Sequence, residues 1–222
     1  MMKLQVHQIY FDDAQVPHLE PAFLHYKNLM NFNRLFEQNV IESAMHIADA
    51  DADAWGFASW KFRYKTNMPG EDWLRFMQDN SQADAWYMEP ISVPHNPYVN
   101  PWAHGEAHHP GMMERATKIC QRLGYKLDCE KDPLPLCFFS YFALRRDVWQ
   151  RYLDTITEIK KIIAADPVLE HQMYHDFALY GPNSNIPFYT FFAERFITTF
   201  LKEEGIASVA MPYHNQWFVY NS

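Results

Sequence analysis

Short, aromatic-rich apolar runs alternate with helix-patterned stretches along this chain, and that alternation limits the fold more than any single motif. Residues 4–11 read as a strand, closed by the turn chemistry of Asp12, Asp13 and Pro17. From Phe36 to Ala48, apolar Phe36, Val40, Ile41, Ala44 and Ile47 recur at helical spacing. Residues 54–62 (AWGFASWKF) read as a buried strand, 71–78 as a short helix and 84–88 as a further strand. Pro110 suits the first turn of a helix that runs to Leu123 and stops at Gly124. Residues 136–144 (LCFFSYFAL) predict another strand. Asp147 then opens a long helix with Val148, Tyr152, Ile156, Ile159 and Ile163 on one stripe. Asp166–Pro167 caps a further helix, 187–205 gives one stopped by Gly205, and 207–212 gives a last strand before an aromatic-rich tail. Strands interleaved with helices imply an α/β fold with a central sheet covered on both faces, and one domain over 1–222. In such sheets ligands gather beyond the carboxyl ends of the strands. That singles out Phe11–Asp13, Lys61–Thr66, Glu89–His109 and the segment after Pro212.

Composition narrows the chemistry. A net charge of -8 with no long Lys/Arg cluster argues against a phosphate-backbone binder, so no nucleic acid partner is expected. Cys120, Cys129 and Cys137 contain no CxxC pair and suit free thiols in the cytosol. No stretch approaches the ~18 apolar residues that span a bilayer, so any membrane contact is expected to be peripheral. Neither GxGxxG nor a Walker A sequence occurs, which disfavours a Rossmann dehydrogenase or a P-loop enzyme. The absence of a Gly-x-Ser-x-Gly elbow leaves covalent hydrolase chemistry without support.

The densest polar motif is NPWAHGEAHHPG at 100–111. His104 and His108 are four apart, with His109 following, a spacing that on a helix would offer two metal ligands. Pro101, Gly105 and Pro110 argue against a regular helix, and a polar loop is expected. As a loop beyond a strand end it describes a pocket in which Trp102 stacks on a substrate, Gly105 lets a ligand approach the backbone and Glu106 serves as base. The tract DADADA (Asp49, Asp51, Asp53) contains Asp-x-Asp but precedes its strand, and a solvated loop is the preferred reading; Asp84 also begins a strand, without a second Asp two residues on. Lys61 and Lys65 leave a predicted strand where two cations can meet a diphosphate. Glu194–Arg195 inside FYTFFAERFITTFL must either pair or face a polar cavity.

Four segments, VHQIYF, WGFASWKFRYKT, NPWAHGEAHHPG and FFAERFITTFL, together resemble bacterial GT-A-type nucleotide-sugar glycosyltransferases of capsule and O-antigen assembly. The resemblance implies a GT-A-like, Rossmann-like mixed sheet and transfer of a sugar from a nucleotide-diphosphate donor to a hydroxyl of a polysaccharide or lipid-linked glycan. It puts His7, Gln8, Tyr10, Lys61, Lys65 and Asp84 at the donor. Trp60, Trp102, His104, Gly105, His109 and Arg195 fall at the sugar or acceptor, with Glu106 as first candidate base and Glu194 as second. The family often holds manganese or magnesium through a strand-end Asp-x-Asp and a C-terminal histidine. His214 matches the histidine and nothing matches the Asp-x-Asp, so metal dependence stays open, and basic side chains can stand in for the cation. Two rivals also stay open: a transferase-like accessory protein that binds a sugar or a partner without turnover, and a metal-dependent hydrolase using His104, His108 and His109.

Overall fold

The strands predicted from apolar runs do pair into one sheet. The computed structural model describes residues 2–29, 35–91, 98–137, 140–178 and 185–214. The strands are β1 (Leu4–Tyr10), β2 (Leu24–Lys27), β3 (Ala54–Ser59), β4 (Ala85–Ile91), β5 (Phe142–Arg145), a separate ribbon of β6 (Phe177–Ala178) with β7 (Ile186–Pro187), and β8 (Ser208–His214). The six-stranded sheet has the order β2-β1-β3-β5-β4-β8. β1 is parallel to β2 and β3, β4 is parallel to β8, and β5 is antiparallel to both β3 and β4. Thus β1, β2, β3, β4 and β8 run one way, and their carboxyl ends gather at a single end of the sheet.

The helices are α1 (Gln38–Ile41), α2 (Ala44–Ile47), α3 (Phe62–Thr66), α4 (Gly70–Asp79), α5 (Pro101–His108), α6 (Met112–Leu123), α7 (Arg146–Ala164), α8 (Pro167–Tyr174) and α9 (Phe188–Glu203). Side-chain alternation along the strands builds a core on each face of the sheet. Trp55, Phe57, Tyr87, Phe142 and Leu144 meet the buried sides of α6, α7 and α9. Val6, Ala54, Ala58, Trp86 and Ala143 meet Phe62 of α3 and Trp73 and Met77 of α4. The α7 stripe packs as its period predicts, with Val148, Tyr152, Ile156, Ile159 and Ile163 all buried. α9 is apolar nearly all round and runs through the larger core, as such a helix must.

Four expectations need correction. Most of the 100–111 segment is helical, as α5: Asn100 Oδ1 accepts the amides of Trp102 (2.9 Å) and Ala103 (2.8 Å), and Pro101 opens the helix where its missing N–H costs nothing. Pro110 lies beyond the helix end, and Gly105 is kept because a Cβ there would sit 2.9 Å from Met112 Cγ and 3.1 Å from Arg195 Nε. The single helix expected over 36–48 is two short ones, α1 and α2. The 54–62 run stops as a strand at Ser59, and its end turns into α3. The 136–144 strand shortens to β5, with residues 138 and 139 outside those described, as is the tail beyond His214. β2 and the β6–β7 ribbon carry too few residues to show a period. No helix among the described residues is long and apolar enough to cross a membrane.

Behind the sheet end, Glu20 secures the loop between β1 and β2. Its buried carboxylate takes a fork from Arg63 (Nε 2.7 Å, Nη2 2.8 Å) and the amide of Gly70 at 2.8 Å. Burial alone would raise its pKa, but these donors outweigh it and hold the carboxyl below its ordinary value. A depressed folded-state pKa adds stability above the unfolded value and loses it as pH falls through the folded one. Glu20→Gln should therefore cost about 1–3 kcal/mol at neutral pH, with the deficit shrinking in acid; urea melts of both proteins at pH 7 and pH 3 measure this.

Candidate active site at the strand ends

Two carboxylates and two lysines converge where the parallel strands end. Lys61 follows β3 and Lys65 lies on α3, so both leave the sheet at its carboxyl end. Glu194 comes from the middle of α9, and Glu37 immediately precedes α1. Glu37 feels the charges of Glu194, Lys65 and Lys61, and Lys65 those of Glu194, Glu37 and Lys61. All four are partly exposed. The floor is neutral and polar: the hydroxyls of Ser59, at the end of β3, and Tyr141, just before β5, are hydrogen-bonded at 2.8 Å.

Burial, then the like charge of Glu194, pushes the Glu37 carboxyl up to about 7, against the pull of its own backbone amide and the two lysines. Burial, then Lys61, pulls the Lys65 ammonium down to about 8, against the two carboxylates. Burial also raises Glu194, with Arg195 and Lys65 opposing it. These are shifts that place proton transfer near neutrality.

Backbone held in sparsely populated conformations surrounds this cluster. Phe36 (φ 47°), beside Glu37, and Ser140 (φ 59°), beside Tyr141, both adopt left-handed backbone, and Gln38 Nε2 donates to Ser140 Oγ at 3.0 Å, tying the two turns together. Asn67 (φ 53°) ends the helix that carries Lys65. Non-glycine residues in this region cost energy and collect where the surrounding structure fixes a functional geometry.

Arg195 backs the carboxylates. Only 4% exposed, it lies 3.8 Å from Glu194, donates to the Phe191 carbonyl at 2.9 Å and reaches His104 Nδ1 at 3.3 Å. Burial and the neighbouring guanidinium keep His104 neutral, its pKa down to about 2. With Nδ1 accepting from Arg195, the ring has no lone pair there for a metal, and a fixed cation beside it opposes one. Among the described residues no group of three His, Cys, Asp or Glu side chains is placed to hold an ion, and His214 ends β8 as an exposed residue. Among the described residues the donor set does not assemble the Asp-x-Asp and histidine site that the resemblance implies.

Against the chain as a whole, the WbbM bifunctional glycosyltransferase in its apo structure superposes over 96% of the residues with a TM-score of 0.54, at 14% identity. The fold is GT-A-like. This chain matches 45% of that protein, less than half of its length. Neither a family model nor a curated protein matches it in sequence.

On this fold the residues singled out from sequence divide into three groups. Tyr10, Trp60, Lys61, Lys65 and Glu194 stand at the carboxyl end of the sheet, with Arg195 and His104 behind Glu194 and Lys61 Nζ 5.0 Å from the Trp60 ring centre. A second group is built into the framework. Glu106 caps α6, its two oxygens accepting the amides of Gly111 and Met113, each at 2.9 Å. Trp102 is fully buried with Nε1 on Thr199 Oγ1 at 2.9 Å, and Gly105 is a packing contact, as above. His109 stacks on Phe191 with 3.9 Å between ring centres. Gln8 is wholly buried, donating to the Ser59 carbonyl and accepting from the Glu20 amide, and His7 is buried mid-strand against Phe57. The third group lies at the opposite end of the sheet: Asp84 precedes β4 and pairs with Arg145 at 3.3 Å, while Asp49 and Asp51 clasp Lys3 and Asp53 accepts its amide. Glu37, Ser59 and Tyr141 were not singled out at all; none belongs to a motif, and their meeting depends on the sheet order.

Proposed function

We propose that the chain transfers a sugar from a nucleotide-diphosphate donor to a hydroxyl of a glycan acceptor. The observation that carries this reading is the cluster of Glu37, Glu194, Lys61 and Lys65 at the carboxyl ends of the strands, together with the GT-A-like fold. In the reaction a carboxylate takes the acceptor's hydroxyl proton, and the oxygen attacks the anomeric carbon. The bond from that carbon to the diphosphate oxygen breaks, and the nucleoside diphosphate leaves with the electron pair. Glu194 is the first candidate base and Glu37 its partner. Lys61 and Lys65 supply positive charge where the leaving diphosphate develops its own, the electrostatic part of catalysis that fixed charges perform best. Trp60 and Tyr10 at the same strand ends offer aromatic faces to the nucleoside or sugar.

The test is a thermal-shift screen against UDP-, GDP- and dTDP-sugars with and without manganese, followed by assay of nucleotide release. A donor held at 100 times its Kd adds about 2.7 kcal/mol, several degrees for a chain of this size. The expected result is a shift with one nucleotide class that does not need manganese and is lost in the Lys61→Ala/Lys65→Ala double variant. No shift with any donor would remove the reading and favour an accessory protein of the same fold.

A further inference from the structure

A second site lies apart from the carboxylates, in a cleft of about 470 Å³ bordered by Arg115 of α6, His175 and Asp176 after α8, Phe177 of β6 and Phe188 at the start of α9. We propose that this cleft binds a neutral oligosaccharide, as a holding site for the glycan remote from the transfer centre. The choice of a saccharide rests on the transferase reading; the construction of the site does not.

Three features argue for a built site. Phe177 is 50% exposed, the exposed phenylalanine among the described residues, and it is presented from a strand paired with Pro187. An exposed aromatic face beside a cleft is a surface on which a sugar ring can lie. Beside it the Arg115 guanidinium is immobilised. Its centre lies 4.0 Å from the centre of the Phe188 ring, and it donates to the carbonyls of Gln172 (3.2 Å) and Gly111 (2.8 Å) and to Asp176 Oδ2 (2.9 Å). Gly111 makes this possible: its φ is 92°, and a Cβ there would fall 2.2 Å from Arg115 Nη1.

The third feature is charge balance. Asp176 compensates Arg115, so the cleft carries little net charge. A phosphate or nucleotide is best held by cations not already committed to a carboxylate, whereas hydroxyl groups want mixed donors and acceptors around an apolar face. The volume of about 470 Å³ lies within the range of small-ligand sites. Phe188 and Glu194 are six residues apart on α9, about 9 Å of helix, so the same rigid element carries both sites.

The experiment incubates the full chain with an array of immobilised neutral gluco-, galacto-, manno- and N-acetylglucosamine oligosaccharides and titrates the retained ones by calorimetry. We expect at least one to bind, Phe177→Ala to weaken it at least tenfold with an unchanged melting temperature, and Phe177→Trp to retain it. The nucleotide-sugar thermal shift should be the same in all three proteins. Failure of every oligosaccharide to bind, equal binding by Phe177→Ala, or loss of the nucleotide-sugar shift in that variant would each overturn the proposal. Oligosaccharide binding through Phe177 in a chain that no nucleotide sugar stabilises would uphold this site and remove the transferase reading instead.

Discussion

Glu194→Gln and Glu37→Gln should each lower kcat by about 10²- to 10⁴-fold, the usual range for losing a positioned acid or base. Glutamine keeps the volume of the side chain and removes only the charge and the proton-accepting oxygen, so the melting temperature is expected to move little. The pH profile separates the two roles. A base must be ionised, and with Glu37 titrating near 7 in the presence of Glu194 the rate should climb through that region. Lys65, with a value near 8, must stay protonated to meet a diphosphate, so the rate should fall above it. The result is a narrow bell, whose two limbs belong to the coupled cluster rather than to single residues. Glu37→Gln removes the carboxyl that titrates near 7, so the acid limb should move to lower pH. Lys65→Arg should extend the alkaline limb upward, because a guanidinium stays charged. Activity within twofold of wild type in both glutamine variants, with the acid limb unmoved, would exclude these carboxylates as the proton acceptor.

How far this site could be read in the sequence depends on what kind of signal each part leaves. Lys61 and Lys65 were singled out as two cations leaving a predicted strand end, and Glu194 as a charge in apolar sequence that must pair or face a cavity; the fold brings their charges within reach of one another. The α7 stripe and the caps at Asp166, Gly124 and Gly205 were legible because they are local. The α5 helix was not, although its start, Asn100 then Pro101, is a strong local signal. Pro101, Gly105 and Pro110 together argued against a helix, and what favours glycine at 105 is tertiary: a Cβ there would crowd Met112 Cγ and the Arg195 side chain. The capping role of Glu106 was hidden for the same reason: between two histidines it looks chemical, and only the position of α6 shows its oxygens accepting backbone amides. Glu37 left no signal, since its meaning comes from Glu194 on a distant helix that packs beside it.

Trp102→Ala should be among the most destabilising single changes in the protein, about 3–5 kcal/mol, or on the order of 10 °C in melting temperature for a chain of this length. The indole is fully buried, its ring centre lies 5.3 Å from that of Phe192, and its N–H is used by Thr199. Truncation would leave a cavity between α5 and α9 and strip the Thr199 hydroxyl of its donor. Trp102→Phe should cost less, chiefly the unmet hydroxyl at about 1–3 kcal/mol. The prediction distinguishes two physical roles for the same residue. A tryptophan that stacks on a substrate loses affinity when truncated and leaves the fold alone; one that holds two helices together does the reverse. If Trp102→Ala melted with the wild type and only raised KM, the sugar-facing role would be restored. The geometry predicts the opposite, with the consequence that α5 acts on the site through its grip on α9. His104 and Gly105 lie against Arg195, which sits 3.8 Å from the Glu194 carboxylate. The motif that looked most like a binding loop packs as a helix against α9, which carries the carboxylate.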